Sequence, residues 1–145
     1  MRHHLILRVI TKLLVAPIAL FALYVQFHGD YSPGGGFQAG VILAVAFILF
    51  GIVFGLRKVK QVFPPWLVHK FTALGVLLYA GTGVVSLFRG KEFLDYSALA
   101  SYPKDGQHIG IIAVELGVGI TVASVMVAIY YAFAARPPRI SDEEW

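Results

Sequence analysis

Four long apolar stretches constrain the fold of this chain more than any other feature of its sequence. They cover approximately residues 5–27, 39–56, 71–88 and 109–135. The second and third contain no charged residue, and the fourth contains only Glu115. A bilayer core about 30 Å thick needs roughly twenty apolar residues in a helix, because only a helix pairs its own backbone N–H and C=O groups in a single pass. We therefore predict an all-α membrane protein with four transmembrane helices, forming one domain over residues 1–145.

Composition supports this class and excludes several others. Hydrophobic residues make up 58% of the chain and charged residues 14%, an imbalance that water-soluble domains do not show. With no cysteine, the chain can form neither disulfides nor thiolate metal sites. The net charge of +4 does not indicate nucleic-acid binding, because the basic residues lie at the ends of apolar stretches, where anionic lipid explains them better. We expect no cofactor and no resident metal.

The uneven distribution of basic residues predicts how the chain is oriented in the membrane. Nine basic residues would lie on one side, namely Arg2, Arg8, Lys12, Arg57, Lys58, Lys60, Lys70, Arg136 and Arg139. Three would lie on the other side, namely Arg89, Lys91 and Lys104. Because basic residues concentrate on the cytoplasmic side, both termini and the loop 57–65 are predicted to be cytoplasmic, with loops 28–36 and 89–108 outside. The expected location is a bacterial or archaeal cell (inner) membrane.

The densest local signal is a glycine-rich segment between the first two spans. Its candidate residues are His28, Asp30, Pro33, Gly34, Gly35, Gly36, Phe37, Gln38 and Gly40. A proline followed by glycine suits a type II turn, and three successive glycines let backbone N–H groups converge. One interpretation is a tight helical hairpin, in which Gly36 and Gly40 lie one turn apart and let two backbones approach. In the other interpretation, His28 and Asp30 guide cations.

Glu115 is the only charged residue in the fourth span, where an ionised side chain facing lipid costs a few kcal/mol. Helical projection at about 100° per residue places Gly117 on a stripe of small residues. The same projection places Glu115 on a different face, beside His108 and Gly119. Two such faces indicate protein neighbours on both sides, and we expect larger partner subunits to supply them. Glu115 is then either a structural acceptor toward a partner helix or a titrating member of a proton or cation path.

A family resemblance rests on two segments, Gly29–Gly40 and Glu115–Ile120. Over nearly its whole length the chain resembles the B subunit (MrpB/MnhB family) of the Mrp-type multisubunit sodium/proton antiporters. In the family's motif a histidine often stands where this chain has Asp30.

The resemblance implies a small membrane subunit without enzymatic activity of its own, in a multisubunit monovalent cation (Na⁺)/proton antiporter. Such a subunit packs between larger subunits in the lipid bilayer, and either lines part of the path of Na⁺ and H⁺ or serves as a scaffold. Homologous subunits of membrane-bound hydrogenases leave the membrane arm of a related redox complex as an alternative.

Overall fold

The computed structural model describes residues 2–29 and 34–136, with side chains from residue 5 onward. All regular elements in these two ranges are helical. The α-helices are α1 Arg2–Phe27, α2 Gly36–Phe54, α3 Leu56–Val62, α4 Pro65–Phe88 and α5 Pro103–Ala134, and a 3₁₀ helix spans Tyr96–Leu99. The predicted all-α class is confirmed.

Within the part of the chain that is described, α1, α2, α4 and α5 are long and apolar enough to cross a membrane, as predicted. The helices nevertheless extend beyond the apolar stretches, since α2 begins three residues earlier than predicted and α4 and α5 begin six residues earlier. Pro65 and Pro103 start α4 and α5, in a first turn where a missing N–H removes no helical hydrogen bond. Charged residues thus mark where a span leaves the lipid, while the helix itself continues into the polar region.

A short helix, α3, occupies most of the predicted loop 57–65. Gly55 separates it from α2 with a φ of 95°, a backbone conformation that glycine adopts without strain. Val59 anchors α3, because its side chain is fully buried in a cluster with Val68 of α4 and Val127 of α5. This segment is therefore part of the packed structure and covers one end of the helices.

The four long helices pack as an open row. α2 packs against α1 and α5, α5 packs against α2 and α4, and α1 makes only slight contact with α5. The order across the row is therefore α1, α2, α5, α4. Burial agrees with this order, since 11% of the most apolar window of α1 is buried, against 28% for α2 and α5.

The two ends of the row differ in chemistry. At one end Lys12 of α1 lies over the ring of Phe54 in α2, and the Tyr131 hydroxyl of α5 donates a hydrogen bond to the carbonyl of Phe63 at 2.6 Å. We call this the basic end, because it contains Arg8, Lys12, Arg57, Lys58, Lys60, Lys70 and Arg136. The opposite end, the glycine end, contains the loop between α1 and α2, the 3₁₀ helix and the start of α5.

Candidate functional site

Glu115 lies where the glycine loop meets α5. A Cβ atom built on Gly29 would lie 2.5 Å from Oε2 of Glu115, and one built on Gly35 would lie 2.9 Å from Oε1. A Cβ on Gly36 would overlap the backbone carbonyl oxygen of Glu115. Side chains at these positions would collide with Glu115, so glycine allows the loop to close around it. We call Gly29, Gly35 and Gly36 together with the carboxylate the Glu115 cradle.

The start of α2 gives the cradle a favourable electrostatic environment. Gly35 is the N-cap residue of α2, and it makes no side-chain capping hydrogen bond. The first N–H groups of a helix have no acceptor within the helix and carry partial positive charge. The carboxylate beside Gly35 therefore brings negative charge to the place where the helix dipole attracts it.

The length of α2 indicates how deep Glu115 lies. Its 19 residues extend about 28 Å at 1.5 Å per residue, close to the thickness of a bilayer core. In a bilayer that α2 just spans, Gly36, its first residue, lies near one membrane boundary, and Glu115, whose backbone contacts Gly36, lies level with it. Glu115 itself is half-buried and is the thirteenth residue of α5, because α5 projects beyond α2 at the glycine end. The carboxylate is thus closer to the boundary than its place in the apolar stretch suggested.

Both small or polar faces of α5 contact helices of this chain. On one side a Cβ on Gly40 of α2 would lie 2.6 Å from the carbonyl oxygen of Gly119. On the other side a Cβ on Gly117 would lie 2.8 Å from the carbonyl oxygen of Gly75 in α4. The expectation that partner subunits fill these two faces was wrong, because α5 lies between α2 and α4 in the row. The two faces therefore provide no evidence for partners.

The two predicted histidines lie at the glycine end. His28 follows α1 directly and precedes Gly29 of the cradle, and its ring stacks on Tyr24 with 4.1 Å between ring centroids. His108 lies two helical turns before Glu115 on α5. Both side chains are exposed. The structure thus brings His28 to the rim of the cradle and places His108 further out along α5.

The remaining residues of the loop motif divide into exposed positions and positions outside the described ranges. Phe37 and Gln38 are exposed on the first turn of α2, and the Gln38 side-chain oxygen would lie 3.3 Å from a Cβ on Gly34. Asp30 and Pro33 lie outside the described residues, so their predicted roles stay predictions. Within the described ranges, no three His, Asp or Glu side chains form a group that could hold a metal ion.

Gln26 of α1 was not predicted as a site residue, although the structure places it next to the cradle. Its side chain is buried, and its Oε1 would lie 2.5 Å from a Cβ on Gly119, one turn along α5 from Glu115. Gln26 also lines a pocket of about 110 Å³ between α1, α2 and α5, whose other walls are apolar side chains and glycine. The sequence signal for Gln26 is an amide within an apolar span, three residues before Gly29.

The sequence of this chain is similar to those of known proteins over most of its length. Residues 6–128 match the domain family described as related to the MnhB subunit of Na⁺/H⁺ antiporter. The chain belongs to this family. A protein named as antiporter subunit mnhB2 in Staphylococcus haemolyticus (strain JCSC1435) is 37% identical over 135 residues, which cover 91% of this chain and 95% of that protein. Proteins named in the same way in Staphylococcus aureus strains Newman and JH1 are 35% identical over 130 residues, covering 88% of this chain and 92% of theirs. The resemblance inferred from the two sequence segments is confirmed.

Proposed function

We propose that this chain is a membrane subunit of a multisubunit Na⁺/H⁺ antiporter, with the Glu115 cradle as its functional centre. Membership of the MnhB-related family and four helices able to cross a membrane support the subunit role. In the assembled complex the chain contacts other antiporter subunits and the lipid bilayer of the cell membrane. The names of its relatives do not favour the alternative of a hydrogenase-type redox complex.

We assign Glu115 the exchange of a proton or a sodium ion near one membrane face. The observation that carries this assignment is the half-buried side chain of Glu115, whose carboxylate lies against Gly29 and Gly35 while its backbone lies against Gly36 at the start of α2. A carboxylate at this depth is within reach of water at the membrane face, while its packed side faces protein. At Gly29, Gly35 and Gly36 the backbone approaches Glu115 directly, and these three positions place no side chain against it.

The charge distribution predicts that this face is the outer one. All seven basic side chains at the basic end lie away from the cradle. If the basic end faces the cytoplasm, the cradle opens to the outside and both termini are cytoplasmic. Labelling a cysteine introduced at Lys91 with a membrane-impermeant reagent tests this orientation in intact cells. Labelling from outside is expected, and labelling only after the cells are opened would reverse the assignment.

A second candidate role for Glu115 is structural. The close approach of Gly36 to the Glu115 backbone supports it, since the carboxylate could equally serve to hold the loop on α5. In that role the side chain would be needed for assembly and its ionisation would have no importance. The two roles predict different behaviour when the charge is removed and the shape is kept.

The deciding experiment replaces Glu115 by glutamine and measures Na⁺/H⁺ exchange of the assembled complex in membrane vesicles. If Glu115 exchanges ions, Glu115→Gln lowers exchange by roughly tenfold or more, as loss of a proton-transferring group does, while the complex assembles in normal amount. Asp105→Asn is the matched control, since it removes an exposed carboxylate from the same helix, away from the cradle. Normal exchange in both variants would exclude the ion-path role. Normal assembly and exchange in Glu115→Gln, together with failed assembly in Glu115→Ala, would support the structural role.

The subunit role has its own test. The tagged chain, purified in mild detergent, is expected to carry other antiporter subunits that mass spectrometry identifies. A chain that exchanges Na⁺ for H⁺ after reconstitution alone would contradict the proposal.

A further inference from the structure

A groove at the basic end brings together three cationic side chains from two different helices. It has a volume of about 260 Å³ and is lined by Leu5, Arg8, Val9, Lys12, Phe54 and Lys58. Arg8 and Lys12 are four residues apart on α1, and therefore project from the same face of that helix. Lys58 comes from α3. The positive charge is thus concentrated in one place by the fold, since the sequence separates Lys58 from the other two.

The two lysines converge on one aromatic ring. The Nζ atoms of Lys12 and Lys58 lie 5.9 Å and 5.8 Å from the ring centroid of Phe54. Cation–π contacts hold ammonium groups in place, but they do not neutralise the repulsion between like charges. The four carboxylates of the described ranges, those of Glu92, Asp95, Asp105 and Glu115, all belong to the glycine end. No carboxylate in the described part of the basic end balances this charge, and the carbonyl groups at the end of α2 offset only part of it, so the groove favours an anion.

We propose that this groove binds the headgroup phosphate of an anionic phospholipid, with phosphatidylglycerol as the simplest example. The position of the groove favours a lipid over a free anion, because Lys12 is followed on α1, a helix that can cross the membrane, by exposed apolar side chains such as Leu13 and Leu20. A phosphate beside the cations leaves an acyl chain free to lie along these residues. Basic pockets between transmembrane helices bind anionic headgroups in this manner. The proposal does not depend on the function assigned to Glu115.

The groove differs from the ordinary behaviour of basic residues at a membrane surface. Long basic side chains near helix ends extend separately to the interface, and this explains Arg8 and Lys12 when each is considered alone. Lys58 extends from α3 toward the same ring as Lys12, so that the three cations surround one volume. A phosphate group can contact several cations in such an arrangement, whereas cations spread around the interface would each meet a different lipid.

The test counts lipid bound to this subunit in the assembled complex. The complex is purified through a tag on this chain, exchanged into detergent with equal amounts of phosphatidylglycerol and phosphatidylcholine, and examined by native mass spectrometry of the released subunit. The wild-type subunit is expected to retain phosphatidylglycerol in preference to phosphatidylcholine. The double variant Lys12→Gln with Lys58→Gln is expected to lose retention by about fivefold for each ammonium removed.

A matched control removes the same number of charges outside the groove. The control is the double variant Arg57→Gln with Lys60→Gln. Both residues lie on α3, at the basic end, and neither lines the groove. This control is expected to retain phosphatidylglycerol within about twofold of wild type, since phosphate binding depends on nearby cations. If the first double variant is not recovered, Lys58→Gln alone, at an exposed position, serves in its place with about a fivefold loss.

Four results would overturn the proposal. Unchanged retention in the groove variants would show that the groove does not hold the lipid. Equal losses in the groove and control variants would mean that only diffuse charge attracts it. Displacement of the lipid by excess inorganic phosphate would identify a site for a free anion. Phosphatidylglycerol binding that appears only after deletion of residues 137–145 would make the acidic tail, with Asp142, Glu143 and Glu144, the occupant.

Discussion

The two sides of α5 make similar contacts but differ in chemistry. Toward α2, Gly36 allows the α5 backbone to approach at Glu115, and toward α4, Gly75 allows it to approach at Gly117. Both contacts bring helix backbones together by omitting a side chain. At the Gly36 contact a carboxylate lies at the start of a helix, whereas the Gly75 contact lies in the middle of α4. Small residues therefore explain how the helices pack, whereas the carboxylate at a helix terminus distinguishes the side that can act on ions.

The largest expected effect is the loss of either backbone contact. In Gly36→Ala the new methyl group meets the carbonyl oxygen of Glu115, and in Gly75→Ala it meets Thr121 and the carbonyl of Gly117. Because backbone atoms cannot move aside cheaply, each change should cost about 2–3 kcal/mol and lower the Tm of the detergent-purified chain by about 4–10 °C.

Gly81→Ala is the control for these two variants. A Cβ on Gly81 of α4 would meet nothing within 4 Å. The Tm should therefore stay unchanged or rise slightly, since alanine favours a helix by about 1 kcal/mol over glycine. A fall in Tm for Gly81→Ala equal to that for Gly36→Ala and Gly75→Ala would remove the steric explanation.

A smaller difference should separate two glycines that lie two residues apart on α5. A Cβ on Gly117 would lie 2.8 Å and 3.0 Å from backbone atoms of Gly75 and Tyr79, whereas one on Gly119 would lie 2.5 Å from the side-chain oxygen of Gln26. The nearest backbone atom to a Cβ on Gly119 is the carbonyl oxygen of Gly36 at 3.2 Å, and the Gln26 amide is the end of a flexible side chain, so we expect Gly117→Ala to cost about 1–2 kcal/mol and Gly119→Ala about 1 kcal/mol or less. Thermal unfolding of the two variants side by side measures this, and the reverse order would contradict it.

Gly29→Ala should separate stability from ion exchange. All three atoms nearest to a Cβ on Gly29 belong to the carboxyl group of Glu115, which can move. We therefore expect a stability loss below about 1 kcal/mol, together with a clear fall in Na⁺/H⁺ exchange because the carboxylate leaves its position. The Tm of the purified chain and exchange by the assembled complex are the two measurements. Full exchange in this variant would show that the position of the carboxylate has no importance.

The smallest effect is expected at Thr121, on the α4 side of α5. Its hydroxyl donates a hydrogen bond of 2.8 Å to the carbonyl of Gly117 in its own helix. Thr121→Val keeps the shape, and loss of this local bond should change stability by about 0.5–1 kcal/mol at most. Exchange should stay at the wild-type rate, in contrast to Glu115→Gln. A large loss of exchange would place ion chemistry on both sides of α5.

The parts of the candidate site can be identified in the sequence, but their contact cannot be predicted from it. Glu115 is conspicuous as a charge in an apolar stretch, and the loop at 34–36 is conspicuous for its glycines. Their contact depends on α2 lying beside α5, and the periodicity of each helix does not predict which helices pair. Gln26 was missed for the same reason, because an amide in a span gains significance only when its neighbour is known.

The sequence by itself determined the four spans, the membrane class and the unequal charge of the two ends. These three properties follow from the free-energy cost of placing charges and unpaired backbone groups in lipid. That cost applies to each segment separately, whatever the other segments do. The tertiary structure alone decided that the helices form the row α1, α2, α5, α4, that Glu115 meets the glycine loop, and that Lys58 joins Arg8 and Lys12 in one groove. Those contacts depend on which backbones can approach one another, and this is a property of pairs of helices.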